Sequence, residues 1–403
     1  MPWKVMNVLE QRKEFVKRCL EGTQSVSELC QEYEISRKTG YKYLRRFIEH
    51  GEEGLEDMPR APKTIRNRVS EDMKELILDF KRNRPYLGAH KILGMLKKKY
   101  PALKFPARST VEIMLKKEGM VKKRKTRGKA KPTKIRTEPI APNVVWAADF
   151  KGEFRTKDGR LCYPFTLMDT NNRYLFSCLG CLSISTQAVR KEMERIFKIH
   201  GLPQVILTDN GAPFASFGIE GYSKLSVWLN KLGIKTERID IGKPQQNGRL
   251  ERLHKTLKEY LEYNTMENID EQQAAFDHFI DEYNNERPHE SLDDKTPSEF
   301  YVKSSIEFPN EIKEVKYSGD WMVRKVNDKG QIQIKNNLIR ISKALIGEPV
   351  GITEIYPERL VAYYGDKPLV LIDSKKYKRL PRKVEDEIIK LLKKEPRGVE
   401  ANV

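Results

Sequence analysis

Long apolar segments are missing from this chain of 403 residues, and cysteine is scarce. No run approaches the roughly 18 consecutive apolar residues that a membrane-spanning helix requires, and the first residues contain no apolar signal-peptide core. The five cysteines are too few and too scattered for a disulfide framework; they are Cys19, Cys30, Cys162, Cys178 and Cys181. We therefore expect a soluble intracellular protein with reduced thiols and no membrane partner.

Acidic residues are outnumbered by basic ones. Lys and Arg number 76 against 57 Asp and Glu, and the resulting net charge of +19 indicates a polyanionic partner, nucleic acid or an anionic membrane. Disorder throughout is excluded because 17 Tyr, 15 Phe and 4 Trp can supply a core. The length suffices for about three domains of roughly 100–200 residues each.

The first segment, residues 1–60, has the pattern of a helix-turn-helix domain. Residues 6–48 predict three short helices: the second opens with a capping box at Ser25–Glu28, and the third begins after Ser36 with an apolar stripe of Tyr41, Leu44 and Ile48. A generic helical bundle with a solvated basic face is the alternative. The residues of the third helix predicted to enter a major groove are Arg37, Lys38, Lys42 and Arg45.

A second helical unit and a basic linker follow. Residues 66–120 contain helical patterns from Ser70 to about Lys117, with a predicted capping box at Ser109–Glu112, and favour another helix-turn-helix-like unit. In the linker, residues 121–139, the stretch 122–136 carries nine Lys or Arg and no acid, so it cannot form a core and we expect it to follow DNA phosphates. Its predicted DNA contacts are Lys122, Lys123, Arg124, Lys125 and Arg127.

The pattern changes again in the remaining chain. Residues 140–305 alternate strand and helix patterns, which predicts an α/β sheet. Residues 312–375 contain six short strand patterns, which predict a small barrel. Residues 376–403 are predicted to form a charged helical tail. The predicted elements of the α/β domain are strands at Asn143–Phe150, Tyr163–Met168, Arg173–Leu182 and Gln204–Thr208, and a helix at Thr186–His200.

Three acids are candidates for a catalytic metal site. Asp149 lies within the first strand, Asp209 ends the strand after Gln204, and Glu251 lies in the first turns of a later helix. Carboxylates that converge at strand ends repel one another unless a hard divalent cation neutralises them, which favours Mg²⁺ or Mn²⁺. Taken singly, Asp209 could be turn chemistry and Glu251 a solvated helical carboxylate. A charge inside the apolar strand around Asp149, however, needs a partner.

Neighbouring acids and cysteines have simpler interpretations. Asp169 fits a hairpin turn, and Glu237 and Asp240 lie in or beside a short strand, so we interpret all three as structural. Cys178 and Cys181 form a Cys-x-x-Cys pair without a second Cys or His pair nearby, and strand alternation sends the two side chains to opposite faces. We therefore expect core thiols and no zinc.

Four ordered motifs and a terminal Thr-Pro pair resemble bacterial insertion-sequence transposases of the retroviral-integrase superfamily, whose catalytic core has the RNase H fold. These segments are Val145–Phe150, Leu207–Phe214, Pro244–Lys258, Tyr283–Leu292 and Thr296-Pro297. The resemblance is strong over about residues 140–300 and extends to the whole chain in domain order. The zinc module of retroviral integrases is not implied, because Cys19, Cys30, His50 and His90 do not match its spacing.

The resemblance implies that Asp149, Asp209 and Glu251 hold two Mg²⁺ or Mn²⁺ ions for in-line displacement at DNA phosphodiesters. The acids are separated by 60 (209 − 149) and 42 (251 − 209) residues. The second separation is longer than usual in the family, so we expect a short insertion near Ser216–Tyr222. Further predicted DNA contacts, in the polar loop before the Glu251 helix and on that helix, are Gln246, Asn247, Arg252, His254, Lys255 and Lys258.

Together these features predict a DNA transposase with N-terminal helix-turn-helix units, an RNase H-like α/β core and a C-terminal SH3-like barrel. Its expected partners are double-stranded DNA, both the terminal inverted repeats of a mobile element and target DNA, and at least one further copy of itself. We expect it in the bacterial cytoplasm, associated with the nucleoid. An RNase H-type nuclease and a DNA-binding regulator with an inactive core are the alternatives.

Overall fold

The computed structural model describes residues 7–57, 69–122, 137–214, 222–240, 242–312, 314–317 and 319–392. The chain divides into two compact units, Met1–Val69 and Ser70–Val403. Among the described residues no helix is both long and apolar enough to cross a bilayer.

The first unit contains the three predicted helices. They are α1 (Val8–Glu21), α2 (Val26–Glu32) and α3 (Arg37–His50), followed by a short 3-10 helix. The predicted capping box at Ser25 is confirmed, since the Ser25 hydroxyl accepts from the Glu28 N–H and the Glu28 carboxylate accepts from the Ser25 N–H. Ser36 caps α3 in the same way, through the N–H of Thr39.

The predicted apolar stripe of α3 is wrong for Tyr41 and Ile48, whereas its third member, Leu44, packs against the core of this unit. Tyr41 and Ile48 are 57% and 71% exposed, whereas Gly40 and Tyr43 are buried. Gly40 is required here because a Cβ would lie 2.4 Å from the Cys30 Sγ. The close contact with α2 therefore rotates α3 so that Tyr41 and Ile48 lie on its exposed face.

The second unit begins with three helices, α4 (Glu71–Asn83), α5 (Ala89–Lys99) and α6 (Arg108–Lys117). The predicted capping box at Ser109 is wrong, because α6 begins at Arg108 with Ala107 as its N-cap. The Glu112 carboxylate accepts from Arg108 Nε at 2.7 Å, one helical turn away, and is therefore engaged by a side chain rather than by the helix N-terminus.

A mixed sheet follows. Its strands are β1 (Val145–Phe150), β2 (Phe154–Arg155), β3 (Leu161–Asp169), β4 (Leu175–Cys181), β5 (Val205–Thr208) and β6 (Lys235–Arg238). The strand order is β2-β3-β1-β5-β6, with β4 on the other side of β3. Strand β1 pairs antiparallel with β3 and parallel with β5, so it is central, as expected of an α/β core. The sequence did not predict the two-residue strand β2.

Helices cover both faces of this sheet. They are α7 (Thr186–His200), α8 (Lys224–Lys231), α9 (Gly248–Leu261) and α10 (Ile269–Asp281), and α10 continues into a π-helical segment, Glu282–Glu286. Cys181 packs in the core beneath α7 and α8, and Cys178 in the core beneath α9 and α10. The two thiols thus lie on opposite faces, as strand alternation predicts, and burial raises the pKa of Cys181 to about 11.

Helix α5 docks on the π-helical segment and the chain that follows it. The buried Glu282 carboxylate accepts from Arg84 Nε at 2.9 Å and from the Tyr86 hydroxyl at 2.6 Å. A Cβ at Gly94 would lie 2.5 Å from Pro288 Cγ, so α5 approaches Pro288 more closely than any other residue would allow. The helices of residues 70–120 are therefore a fixed part of the second unit.

The C-terminal region is β-rich. It contains β7 (Met322–Lys325), β8 (Gln331–Ile334), β9 (Asn337–Arg340), β10 (Pro349–Tyr356), β11 (Arg359–Tyr364), β12 (Lys367–Asp373), β13 (Lys378–Arg379) and α11 (Arg382–Leu392). Five strands pair in the order β13-β12-β11-β10-β7, and β8 and β9 form a separate hairpin. This pairing does not establish the predicted SH3-like barrel. Helix α11 is attached to the sheet, since its buried Glu385 accepts from the Leu371 N–H at 3.0 Å.

We expect Gly94→Val to destabilise the second unit by about 1–3 kcal/mol, because the new side chain overlaps Pro288 and forces α5 away from the core. Thermal unfolding of the full chain measures the effect. Gly248→Ala is the matched control, since a Cβ there meets no atom within 4 Å. Equal unfolding midpoints for the two variants would contradict the close docking of α5.

Candidate active site

Asp149 lies near the end of the central strand β1, opposite Thr166 of β3. Its side chain is only 22% exposed, and its Oδ1 accepts from the Phe150 N–H at 2.7 Å. Burial, and then the charges of Asp209 and Glu251, raise the pKa of Asp149 to about 7 against the weaker opposing effect of the Phe150 hydrogen bond. The sequence placed a carboxylate in an apolar strand, and the structure keeps it there without a basic partner within bonding distance in the described residues.

Asp209 follows β5, the strand parallel to β1. Its Oδ1 accepts from the Gly211 N–H at 3.0 Å, and a Cβ on Gly211 would lie 2.9 Å from the Asp209 Oδ2. Asn210 closes the same turn by donating to the Ile239 carbonyl at 2.8 Å. The Asp-Asn-Gly sequence therefore folds tightly around the carboxylate, and a larger residue at 211 would displace it.

Glu251 lies in the first turns of α9. The predicted stripe of this helix is confirmed, since Leu250, Leu253 and Leu257 are each 0% exposed and Leu261 is 6% exposed. Because the stripe fixes the rotation of α9, Glu251 stands at its border on the exposed side. Its charge makes the smallest of the contributions that raise the pKa of Asp149.

Asp209 and Glu251 therefore both act on Asp149, from a neighbouring strand and from a helix. Carboxylates are the donors that hard divalent cations prefer, so this donor set fits Mg²⁺ or Mn²⁺ by its chemistry. In the described parts of the chain, no three His, Cys, Asp or Glu side chains are arranged to hold a metal ion together. Binding would thus require the side chains to move closer than they stand in this structure.

Sequence reasoning missed an imidazole beside Asp149. His254 Nδ1 lies 4.0 Å from Asp149 Oδ2, and its Nε2 lies 2.8 Å from the hydroxyl of Thr166, which in turn donates to the Asp149 carbonyl. Burial, and then the charge of Lys151, lower the pKa of His254 to about 4, so the ring is neutral at pH 7. The pairing of β1 with β3 and the three-residue step from Glu251 to His254 are the signals that could have identified this contact.

Several predicted DNA contacts on and before α9 lie in different environments. Gln246 and Asn247 are buried, and Gln246 Oε1 accepts from the Asp240 N–H at 2.7 Å. The polar loop therefore uses Gln246 to close itself against Asp240. The residues of α9 that remain exposed are Arg252, Lys255 and Lys258, whereas His254 turns inward.

The acids interpreted as structural have structural surroundings. Asp169 is fully buried and accepts from the N–H groups of Asn143 and Asn171 at 2.7 and 2.8 Å. Glu237 on β6 accepts from the Thr137 hydroxyl at 2.6 Å and pairs with Lys235 at 2.7 Å. Neither carboxylate is among the charges that perturb Asp149.

The N-terminal candidates form one surface, and the linker candidates mostly lie outside the described residues. Along α3 the exposed side chains are Arg37, Lys38, Tyr41, Lys42, Arg45, Ile48, Glu49 and His50, opposite the buried Tyr43. Lys122 Nζ lies 2.7 Å from Glu262 Oε2 and 4.9 Å from the centre of the Tyr263 ring. Lys123, Arg124, Lys125 and Arg127 fall outside the described ranges, as does most of the expected insertion before Tyr222.

Two kinds of known domain match this chain. A helix-turn-helix domain model matches residues 11–63 and a homeodomain-like domain model residues 39–115. Integrase core domain models match residues 139–244 and 232–297. The matched integrase segments contain Asp149, Asp209 and Glu251.

Sequence relatives come from an insertion element and from retroviruses. Over 166 residues, 41% of this chain, the identity is 29% to the uncharacterized 31.7 kDa protein of insertion element IS407 from Burkholderia multivorans, of which the match covers 57%. Over 136 residues, 34% of this chain, it is 30% to the Gag-Pol polyprotein of baboon endogenous virus, of which it covers 8%. The chain thus spans about half of the first relative and a small part of the second.

Solved structures that match include the HTLV-2 integrase catalytic core domain in complex with magnesium. The match covers 40% of this chain and 99% of that domain, with 17% identity and a TM-score of 0.31. A chain of the simian T-cell lymphotropic virus intasome matches over 60% of this chain and 84% of its own length, with 18% identity and a TM-score of 0.32. Helix-turn-helix and integrase core domains thus follow one another in this chain, and its sequence relatives include an insertion-element protein, so the chain resembles the insertion-sequence transposases of the DDE integrase superfamily.

Proposed function

We propose that this protein is a transposase that binds the ends of a mobile element, cleaves DNA there and joins the ends to target DNA. The observation that carries the proposal is the electrostatic coupling of Asp149 with Asp209 and Glu251, within a segment that matches integrase core domains. The integrase core domains that it matches support DNA integration-type chemistry. The recognition of specific ends and the joining step are our proposal.

In this mechanism Asp149, Asp209 and Glu251 would hold two Mg²⁺ or Mn²⁺ ions. Such ions would activate the oxygen of a water or a 3′-hydroxyl as the nucleophile and stabilise the leaving oxygen of an in-line displacement at a phosphodiester. Asp149 and Asp209 are supported by adjacent parallel strands, so their backbones are held rigidly relative to each other. Gly211 permits the turn that presents Asp209, and the neutral His254 fills the space beside Asp149 without adding charge.

DNA recognition is assigned to the basic surfaces of the chain. The exposed face of α3 has the charge and form of a recognition helix, and the helix-turn-helix match at residues 11–63 includes it. The basic linker and the exposed cations of α9 would then contact phosphates, which carry no sequence information. We expect specificity to come from α3 and affinity from the linker and α9.

The reaction joins two DNA ends, so the active assembly contains at least two copies of the chain. We propose that the C-terminal sheet and the β8–β9 hairpin form an SH3-like module for assembly or DNA binding; Arg324 of β7 donates to the Gln333 carbonyl at 3.2 Å and joins the two pieces. The domain boundaries predicted from the sequence remain part of this proposal. With DNA as its substrate, the protein would work in the bacterial cytoplasm at the nucleoid.

Glu251→Gln tests the proposed function. We expect it to leave folding and end binding near normal and to abolish both nicking and joining, because an amide cannot replace an ionised metal ligand. The assay follows Mg²⁺-dependent nicking and strand transfer with DNA duplexes carrying the ends of the element. Glu259→Gln, on the same helix, should retain activity. A Glu251→Gln protein that joins DNA at the normal rate would refute the assignment of Glu251 as a metal ligand. A wild-type protein that nicks any DNA without joining it would favour a nuclease.

Asp149→Asn should stabilise the metal-free protein while abolishing activity. Below about pH 4 the carboxyl is protonated in the folded and unfolded chain, so no difference is expected. Between pH 4 and 7 the Asp149 carboxyl ionises in the unfolded chain but resists ionisation in the folded chain, so the gain in unfolding free energy of the variant over the wild type grows with pH. Above pH 7 this gain stays constant. Thermal unfolding in EDTA at pH 8 should show a midpoint several degrees higher for the variant than for the wild type, because each kcal/mol of unfolding free energy shifts the midpoint by roughly 2–4 °C. If the variant and the wild type had the same unfolding midpoint at pH 8 as well as at pH 4, the burial and charge repulsion of the Asp149 carboxylate would be contradicted.

Lys42→Gln and Arg45→Gln should weaken binding to the element ends, each by about 1 kcal/mol or more where the side chain meets a base or phosphate. Lys17→Gln removes the same charge from an exposed position on α1 and serves as the control. Fluorescence anisotropy with end DNA and with scrambled DNA measures both affinity and specificity. Equal losses for all three variants would argue for general charge attraction instead of recognition by α3.

A further inference from the structure

Four arginines and a lysine gather where helix α5 meets the catalytic core. Arg173, in the turn between β3 and β4, and Arg249, on α9, both donate to the carbonyl of Thr170, Arg249 at 2.7 Å. Two guanidinium groups on one carbonyl oxygen are held within a few ångströms of each other. Their positive charges are therefore concentrated at one point beside α9.

Three more cations complete this group. Lys91 of α5 donates to the Pro288 carbonyl at 2.6 Å, immediately next to Arg287. Arg252 lies one turn along α9 from Arg249, and its charge acts on both Lys91 and Arg173. We call Lys91, Arg173, Arg249, Arg252 and Arg287 the cationic seam. The packing of α5 on the core adds Lys91 to it.

In the described parts of the chain none of the four arginines of the seam forms an ion pair with a carboxylate. Asp169 acts on Arg173 and Arg249, and Glu282 on Arg287, only through their charge. The nearby Asp169 is engaged by two backbone N–H groups, and Glu282 by Arg84 and Tyr86. Glu259, Glu290 and Asp294 act on Arg287 or Lys91 only at longer range. His289 follows Pro288, which α5 contacts. Its Nε2 is buried and has no hydrogen-bond partner among the described residues.

The electrostatics of the seam agree with its geometry. Burial, and then the charge of Arg249, lower the pKa of Arg173 to about 10. Burial followed by the charge of Arg287 lowers the pKa of Lys91, and burial lowers the pKa of Arg249 and Arg287 as well. Lys91, Arg173 and Arg287 are partly buried. Partly buried cations that repel one another destabilise the free protein unless an anion joins them.

We propose that the cationic seam binds a backbone phosphate of the DNA substrate. The proposal rests on the proposed function, because it takes DNA as the ligand. Arg249 and Arg252 are exposed and stand one turn apart on α9, and Lys255 stands one further turn along, so a phosphate held by the two arginines lies on the same helix surface as the other exposed cations. The seam also continues into the exposed Lys255 and Lys258 of α9, which gives the surface the length of a bound strand rather than the form of an isolated pocket for a small anion.

Guanidinium groups suit this ligand, since their planar forks bind phosphate oxygens in pairs. Lys91 brings a residue of the helical unit into the same contact. A phosphate in the seam would therefore tie α5 to the core more firmly, and DNA binding and the docking of residues 70–120 would stabilise each other.

The test compares Arg249→Gln with Arg155→Gln in the full-length protein. Arg155 is the matched control because it also donates to a carbonyl, that of Gly159 at 2.6 Å, but lies on β2 outside the seam. Binding of a random 20-bp duplex is measured in EDTA as a function of salt, so that catalysis plays no part. We expect Arg249→Gln to lower the salt slope by about 0.9 and the affinity at 0.1 M salt by about 5–10-fold, while Arg155→Gln changes neither.

A second readout separates ligand binding from a structural role. Without DNA, Arg249→Gln should melt at or above the wild-type temperature, because repulsion is relieved; a residue needed only to clamp Thr170 would lower it. An unchanged salt slope, or a lower melting temperature with normal affinity, would overturn the proposal. Stabilisation by inorganic phosphate without any change in DNA binding would assign the seam to a small anion and equally overturn it. A protein that binds DNA as expected but never cleaves it would refute the proposed function and leave the seam in place.

Discussion

The carboxyl group of Asp149, in the central strand of a buried sheet, is the constraint on which the catalytic core depends. Its ionisation is opposed by burial and by the charges of Asp209 and Glu251, and the rigid sheet prevents the groups from moving far apart. Such an arrangement costs stability in the free protein. It is useful only if a cation joins the acids, which is why a metal-dependent reaction explains the core better than a purely structural role.

Helix α9 carries both acidic and basic side chains. Its leucine stripe is buried against the sheet and fixes the rotation of the helix. His254 then lies 4.0 Å from Asp149, while Arg252, Lys255 and Lys258 remain exposed. Glu251 and Lys255 are one turn apart, so a DNA strand whose phosphates contact Lys255, as we propose, would pass close to Glu251.

Local signals made much of the fold predictable. The structure contains the features that depend on residues adjacent in sequence. These are the capping at Ser25, the helix Thr186–His200 and the alternating strands. The exposed face of α3, the buried Gln246 and the contact of His254 with Thr166 depend instead on segments distant in sequence. The acids could be chosen from motifs and the metal from their chemistry. The docking of α5, and with it the cationic seam, could not, because no local pattern specifies which surfaces meet.

The central claim is that Asp149, Asp209 and Glu251 form one divalent-metal site. The most direct test is a crystal of the full protein with a DNA duplex, soaked in Mn²⁺ and measured at a wavelength where manganese scatters anomalously. The account predicts anomalous peaks bounded by these three carboxylates, which disappear in the Asp149→Asn protein. Manganese bound elsewhere, with the three carboxylates left without a shared ion, would contradict it.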